Sequence, residues 1–104
     1  MSKKIIAELS TFPVGEGTSL SEFVKKAVKV IDDYEGVRII HHPMGTVIEA
    51  DNIDQILEIT KLAHESIFEA GAQRVLTQLK IDDRRDKDRV MEDKLDAISV
   101  DTNY

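Results

Sequence analysis

Apolar and polar residues follow two different periods in the first third of the chain. Residues 4–12 alternate as a β-strand does, with one set of side chains on each face. One set is Ile5, Ala7, Leu9 and Thr11, and the other is Ile6, Glu8, Ser10 and Phe12. After a loop at residues 13–17, the capping-box sequence Ser19-Leu20-Ser21-Glu22 predicts the start of a helix. Apolar residues then recur at helical spacing up to Tyr34, and Gly36 predicts the end of this helix.

The remainder of the chain predicts a hairpin of two strands, a second main helix, a last strand and a short C-terminal helix. Val37 to His42 predicts a short strand, His42-Pro43-Met44-Gly45 a turn, and residues 46–50 the hairpin partner. Asn52-Ile53-Asp54-Gln55 predicts a second capped helix, which Gly71 ends. The apolar stripe predicted for this helix comprises Ile53, Ile56, Leu57, Ala63, Ile67 and Ala70. Residues 73–83 predict a last strand. A charged segment then leads to a short C-terminal helix, whose apolar face comprises Val90, Met91, Leu95 and Ile98.

The order β-α-β-β-α-β predicts one α+β domain, residues 1–104, of the ferredoxin-like class. In this class both main helices cover one face of a four-stranded antiparallel sheet. The strand patterns place towards the helices Ile5, Ala7, Leu9, Ile48, Ala50, Val75, Leu79 and Ile81. The opposite face is predicted to be bare, and it carries Ile6, Glu8, Ser10, Phe12, Val47, Glu49, Leu76, Gln78 and Lys80. Because a large apolar patch is seldom left in water, we expect an oligomer formed through this face and the last edge strand.

The polar groups on the bare face allow two interpretations. Glu8, Glu49 and Lys80 form either a solvated, salt-bridged surface or part of a pocket between subunits. In the second interpretation the carboxylates and Ser10 are oriented towards a polar heteroaromatic ligand. Spacing alone leaves both open.

Composition narrows the possible partners. The 104 residues include 14 Lys and Arg against 20 Asp and Glu, a net charge of −6, which disfavours nucleic acid and anionic membranes. There is no cysteine, so disulfides and thiolate chemistry are excluded. No signal-peptide core and no apolar run of about 20 residues occurs, so we expect a cytoplasmic protein without a membrane span.

Several chemistries fit the residues poorly. His41 and His42 are adjacent on a strand and point to opposite faces, and His64 lies on a helix, so we expect no metal site. No nucleophile elbow or ordered triad occurs, and we expect no catalytic residue. RNA-binding domains share the topology but stack bases on aromatic residues, which the strand at residues 46–50 lacks. Acylphosphatase-like enzymes need an arginine near an anion-cradling loop, which residues 13–18 do not contain.

Four motifs carry a resemblance to a known family. They are Ser10-Thr11-Phe12-Pro13-Val14-Gly15, Pro43-Met44-Gly45-Thr46-Val47-Ile48-Glu49, Ile81-Asp82-Asp83-Arg84-Arg85-Asp86-Lys87 and Met91-Glu92-Asp93-Lys94. In this order, over roughly residues 5–98, the chain resembles the small thiamine-binding-protein-like family known as uncharacterised protein family 0045. The resemblance implies dimers formed through the sheets, tetramers built from them, and binding of thiamine or its hydroxymethylpyrimidine moiety. It implies no catalytic activity.

The candidate ligand-binding residues come from the matching positions and from the bare face. The resemblance implies as matching positions Ser10, Pro13, Met44, Gly45, Thr46, Glu49 and Lys80, with Asp82 near the third motif. The candidate site takes the first seven of these and adds Glu8 for its charge and Phe12 for its apolar surface. This chain departs from the family pattern at His41, His42 and Ala50. We therefore expect a non-catalytic, cytoplasmic, homotetrameric protein that binds a small heteroaromatic ligand and needs no cofactor. The alternatives are an oligomeric or regulatory module without a ligand, and an enzyme acting on a thiamine-related compound.

Overall fold

Four strands and two main helices alternate in the predicted order. A computed structural model describes residues 4–17, 20–86, 90–92 and 95. Its elements are β1 (Ile5–Pro13), α1 (Ser21–Asp33), β2 (Arg38–His42), β3 (Gly45–Ala50), α2 (Ile53–Glu69) and β4 (Val75–Asp83). The strands form one antiparallel sheet in the order β2-β3-β1-β4, which confirms the ferredoxin-like prediction. The predicted C-terminal helix falls largely on residues outside the described ranges.

The two helices begin and end differently. At α2 the predicted capping box is confirmed, because Asn52 Oδ1 accepts from the Gln55 N–H at 2.9 Å and Gln55 Oε1 accepts from the Asn52 N–H at 3.3 Å. At α1 the predicted cap, Ser19, lies outside the described residues. α1 ends at Asp33, before the predicted stop at Gly36. Tyr34 therefore leaves the helix, and its hydroxyl donates to Glu58 Oε1 at 2.8 Å.

The hydrophobic core lies between the helices and one face of the sheet. Its buried members are Ile5, Ala7, Leu9, Ala27, Ile31, Ile48, Ala50, Ile56, Ile59, Ala63, Ile67 and Ala72. This set confirms the inward face predicted for β1 and β3. Leu57 was expected to face inward and is exposed instead, because it lies about 130° around α2 from the buried line through Ile56 and Ile59. Ile81 is also more exposed than expected, since β4 is an edge strand and Ile81 lies near its end.

The opposite face of the sheet was predicted to be bare, but one end of it is covered. Ile6 and Glu49 face each other in register on this side, and each is only 4% exposed. Met91 is also buried, and its backbone N–H donates to Glu49 Oε2 at 3.0 Å. Neither Ile6 nor Met91 belongs to the core between helices and sheet. Residues 90–92 therefore close one end of this face from within the same chain.

Candidate ligand-binding site

The closed end of the face is organised around the Glu49 carboxylate. Arg38 lies opposite Glu49 on β2, and its Nη1 donates to Glu49 Oε2 at 3.1 Å. The same guanidinium donates to both Glu92 carboxylate oxygens, at 3.1 and 2.6 Å. This bidentate contact holds the pKa of Glu92 below its ordinary value. Glu49 is thus engaged by groups of its own chain, from β2 and from residues 90–92.

The other end of the face remains uncovered in the described part of the chain. It holds a hollow of about 640 Å³, lined by Glu8, Ser10, Phe12, Met44, Gln78, Leu79 and Lys80. A smaller hollow of about 200 Å³ adjoins it at Glu8 and Lys80. We call the larger one the open-face hollow. Its side chains come together because β1 and β4 pair Glu8 with Lys80 and Ser10 with Gln78, which puts each pair on the same side of the sheet. Five of the nine predicted site residues line it, namely Glu8, Ser10, Phe12, Met44 and Lys80.

A second concavity lies between α1 and the β2–β3 turn. Pairing of β1 with β3 stops at Leu9 opposite Thr46, whereas β1 continues to Pro13 paired with β4. The sheet therefore has a step beneath α1, and the step leaves a cavity of about 410 Å³. We call it the α1 groove. It shares Ser10, Phe12 and Met44 with the open-face hollow, and it is otherwise lined mainly by Leu9, Thr11, Val24, Ala27, Val28, Ile31, His41, His42, Pro43, Gly45 and Thr46.

The two histidines of the turn point to opposite faces, as predicted. On the helix side, His41 Nδ1 lies 2.9 Å from Thr46 Oγ1, and His41 Nε2 lies 2.7 Å from Asp32 Oδ1 on α1. These contacts tie the turn to α1. Thr46, a predicted site residue, is buried, and its hydroxyl is engaged by His41.

On the open side, His42 reaches from β2 across β3 to β1. Gly45 lies opposite His42 in the hairpin, and a Cβ atom at Gly45 would stand 2.7 Å from the Leu9 carbonyl oxygen. The same Cβ would stand 3.7 Å from His42 Cε1, so the His42 ring lies over Gly45, and its Nε2 comes within 3.2 Å of Glu8 Oε2. The sequence pattern places His42 and Glu8 on separate strands and does not by itself predict this contact. The available signal was the glycine two residues after Pro43.

The predicted site residues are thus spread over several environments. Gly45 and Thr46 line the α1 groove, Glu49 lies at the closed end of the face, and Pro13 is buried at the end of β1 opposite Val75. Across residues 4–17, 20–86, 90–92 and 95, no three His, Cys, Asp or Glu side chains are grouped in a way that would hold a metal ion. Neither helix within those ranges has the length and apolar content of a membrane span.

Comparison with known proteins identifies the family. The family model described as "Thiamine-binding protein" matches residues 7–99. The chain belongs to this family. A UPF0045 protein of Methanothermobacter thermautotrophicus is 45% identical over 95 residues, which are 90% of this chain and 95% of the relative. The resemblance seen in the sequence motifs is therefore confirmed.

Solved structures agree with this assignment. The crystal structure of the hypothetical protein MJ1052 from Methanocaldococcus jannaschii is 41% identical, with a TM-score of 0.83 over 93% of this chain and 97% of that chain. A Thermotoga maritima protein provisionally assigned to thiamine biosynthesis or salvage has a TM-score of 0.75 over 91% of this chain and 98% of its own, at 23% identity. At that identity the second likeness shows the shared fold alone.

Proposed function

We propose that this member of the thiamine-binding protein family is a non-catalytic cytoplasmic protein that binds thiamine or its hydroxymethylpyrimidine moiety. The binding site is the open-face hollow, at or near a subunit interface of a homotetramer. The observation that carries the proposal is the position of Glu8. Its carboxylate stands in the uncovered half of the sheet face, is 53% exposed, and accepts no hydrogen bond from any described residue.

The chemistry of the hollow matches such a ligand. An aminopyrimidine edge combines an amine donor with ring-nitrogen acceptors, and the Glu8 carboxylate can accept from the amine. Ser10 and Gln78 stand opposite each other beside Glu8 and can donate to ring nitrogens. Phe12 and Met44 supply apolar surface for a flat ring. The net charge of −6 suits a cationic thiazolium ring.

A neighbouring subunit would complete this shallow site. On the same face Leu76 is 45% exposed and Met44 is 80% exposed, so a second copy packed here removes apolar surface from water. It would also enclose the ligand, since the hollow of a single chain is open to solvent. Sedimentation equilibrium of the purified chain and of Leu76→Asp tests this arrangement. We expect a tetramer for the former and smaller species for the latter, and a wild-type monomer would contradict it.

Ligand binding is tested by thermal denaturation and calorimetry with thiamine and with hydroxymethylpyrimidine. At 100 times its dissociation constant a ligand adds about 2.7 kcal/mol to the free energy of unfolding. Glu8→Gln should weaken binding by about tenfold or more, through loss of a charge-assisted hydrogen bond. Glu69→Gln is the matched control, because it removes the same charge from an exposed position at the end of α2. No thermal shift with either compound at millimolar concentration would refute the proposal.

Two further outcomes separate the alternatives. If Leu76→Asp dissociates the tetramer and neither compound binds the wild type, the face is an assembly surface without a ligand. If mass spectrometry after prolonged incubation detects a changed compound, the protein is an enzyme. Recovery of the compound unchanged, together with saturable binding, supports a binding protein.

A further inference from the structure

Among the described residues, one buried donor has no hydrogen-bond partner, and it lies beside the open-face hollow. His42 Nδ1 accepts a hydrogen bond from the Met44 N–H at 3.2 Å, so the ring proton resides on Nε2. Nε2 is closed off from solvent and is the one buried side-chain nitrogen or oxygen without a hydrogen-bond partner among the described residues. An unmade hydrogen bond to a buried donor destabilises the fold, because the donor has lost its bond to water without gaining another. A group that supplied the missing acceptor would remove this destabilisation.

The nearest charged group does not satisfy this donor. Glu8 Oε2 lies 3.2 Å from Nε2, within ion-pair distance, but the N–H is not directed at it with the geometry of a hydrogen bond. His42 lines the α1 groove, whereas Glu8 lines the open-face hollow, so their contact stands at the boundary between the two concavities. An atom held between them must accept from Nε2 and also tolerate a carboxylate.

A hydroxyl group meets both requirements. It accepts one hydrogen bond through a lone pair and donates another through its proton. A carbonyl or an anion would accept from His42 but be repelled by Glu8, while an ammonium group would pair with Glu8 and leave the His42 donor unmet. The Glu8 backbone is paired on both sides, to Val47 and Lys80, so its half-exposed side chain is the part that shifts to admit the group.

We propose that His42 Nε2–H and the Glu8 carboxylate together bind a hydroxyl group of the ligand, which accepts from His42 and donates to Glu8. This inference rests on the proposed function and specifies which form of the ligand is bound. The site selects the free alcohol over its deoxy analogue. It also rejects the phosphate ester, in which the hydroxyl proton is lost and an anion stands next to Glu8.

The first experiment compares two ligands that differ only in this group. Isothermal titration of the full chain with 4-amino-5-hydroxymethyl-2-methylpyrimidine and with 4-amino-2,5-dimethylpyrimidine measures the contribution of the hydroxyl. We expect the alcohol to bind at least about tenfold more tightly, the value of one well-formed charge-assisted hydrogen bond. Equal affinities would overturn this inference and leave the proposed function standing. Binding of neither compound, nor of thiamine, would overturn both.

Two substitutions at one position identify the donor. His42→Asn keeps an acceptor near Nδ1 for the Met44 N–H but removes the donor at Nε2, whereas His42→Gln places an amide donor near Nε2. We expect the preference for the alcohol to fall to about threefold or less in His42→Asn and to persist in His42→Gln. Thermal denaturation of both variants verifies that they fold. An unchanged preference in folded His42→Asn would contradict the assignment.

The phosphate ester tests the role of Glu8. 4-Amino-5-hydroxymethyl-2-methylpyrimidine and its phosphate monoester carry the hydroxyl and its ester on otherwise identical molecules. We expect the wild type to bind the alcohol at least about tenfold more tightly, and Glu8→Gln to discriminate less because the repelling charge is gone. Equal binding of both compounds by the wild type would show that His42 and Glu8 do not recognise a hydroxyl group.

Discussion

Glu49 and Glu8 stand on the same face of the same sheet, yet they have opposite environments. Glu49 is buried, and its Oε2 accepts from Arg38 and from the Met91 N–H. Glu8 is half-exposed and accepts no hydrogen bond from the described residues, although the buried His42 Nε2 stands beside it. The difference arises from residues 90–92, which close one end of the face and leave the other uncovered. A carboxylate on a sheet face thus has a structural role where groups of its own chain donate hydrogen bonds to it. Where no such group donates to it, the carboxylate is available to a ligand.

The largest expected effect concerns the apolar residues of the two ends. Ile6→Ala removes a side chain buried at the closed end and should lower the free energy of unfolding by about 3 kcal/mol. Leu76→Ala, at the open end, should change it by less than about 1 kcal/mol and weaken oligomer formation instead. Urea denaturation and sedimentation measure the two quantities. Similar losses of stability in both variants would show that the two ends do not differ.

The carboxylates themselves provide the second test. Glu49→Gln removes the charge that Arg38 and the Met91 N–H contact, and we expect a loss of about 2–3 kcal/mol in the free energy of unfolding. Glu8→Gln should alter it by no more than about 0.5 kcal/mol, since the side chain is half-exposed and accepts no hydrogen bond from the described residues. Equilibrium urea denaturation measures the free energy of unfolding of both variants. A Glu8 variant as unstable as the Glu49 variant would remove the distinction between the two ends.

The sequence predicted correctly those features that depend on residues close together along the chain. Alternation in β1 predicted which face is buried, because period-2 patterning follows directly from strand geometry. The capping box at Asn52 and Gln55 was also predictable, since both partners lie within one helical turn. Leu57 was assigned to the wrong face because α2 has more apolar residues than its buried face can hold. Only packing against the sheet decides which of them face inward.

The arrangement of the face depends on contacts that a one-dimensional pattern does not contain. Arg38 and Glu92 are 54 positions apart, and their contact requires residues 90–92 to return across the sheet. The contact of His42 with Glu8 requires the hairpin register that sets Gly45 between them. The sequence therefore identified Glu8 and Glu49 as face residues but could not separate their roles. Ligand identity came from the family resemblance, with which the chemistry of the residues is compatible.

Gly45 tests whether close strand packing maintains the open end. In Gly45→Ala the new Cβ would stand 2.7 Å from the Leu9 carbonyl oxygen, a backbone atom, so β3 has to shift. We expect a loss of about 1–2 kcal/mol in the free energy of unfolding and weaker ligand binding, as His42 moves away from Glu8. Gly71→Ala is the control, since it also has a positive φ but nothing lies within 4 Å of its added Cβ. Equal losses in both variants would attribute the effect to backbone conformation alone.

The smallest expected effect is the response of the closed end to acid. The hydrogen bonds from Arg38 lower the pKa of Glu92 from its ordinary value of 4.5, so the unfolded chain takes up this proton at a higher pH than the folded one. The stabilisation is therefore complete above 4.5 and is lost as the pH falls through the lowered value. We expect hydrogen-exchange protection of the Met91 N–H to fall as the pH drops below about 4.5 through the lowered pKa of Glu92, relative to the Leu9 N–H in the core. In Glu92→Gln this part of the pH dependence should disappear. Constant wild-type protection over the same range would show that residues 90–92 are held by burial of Met91 rather than by the ion pair.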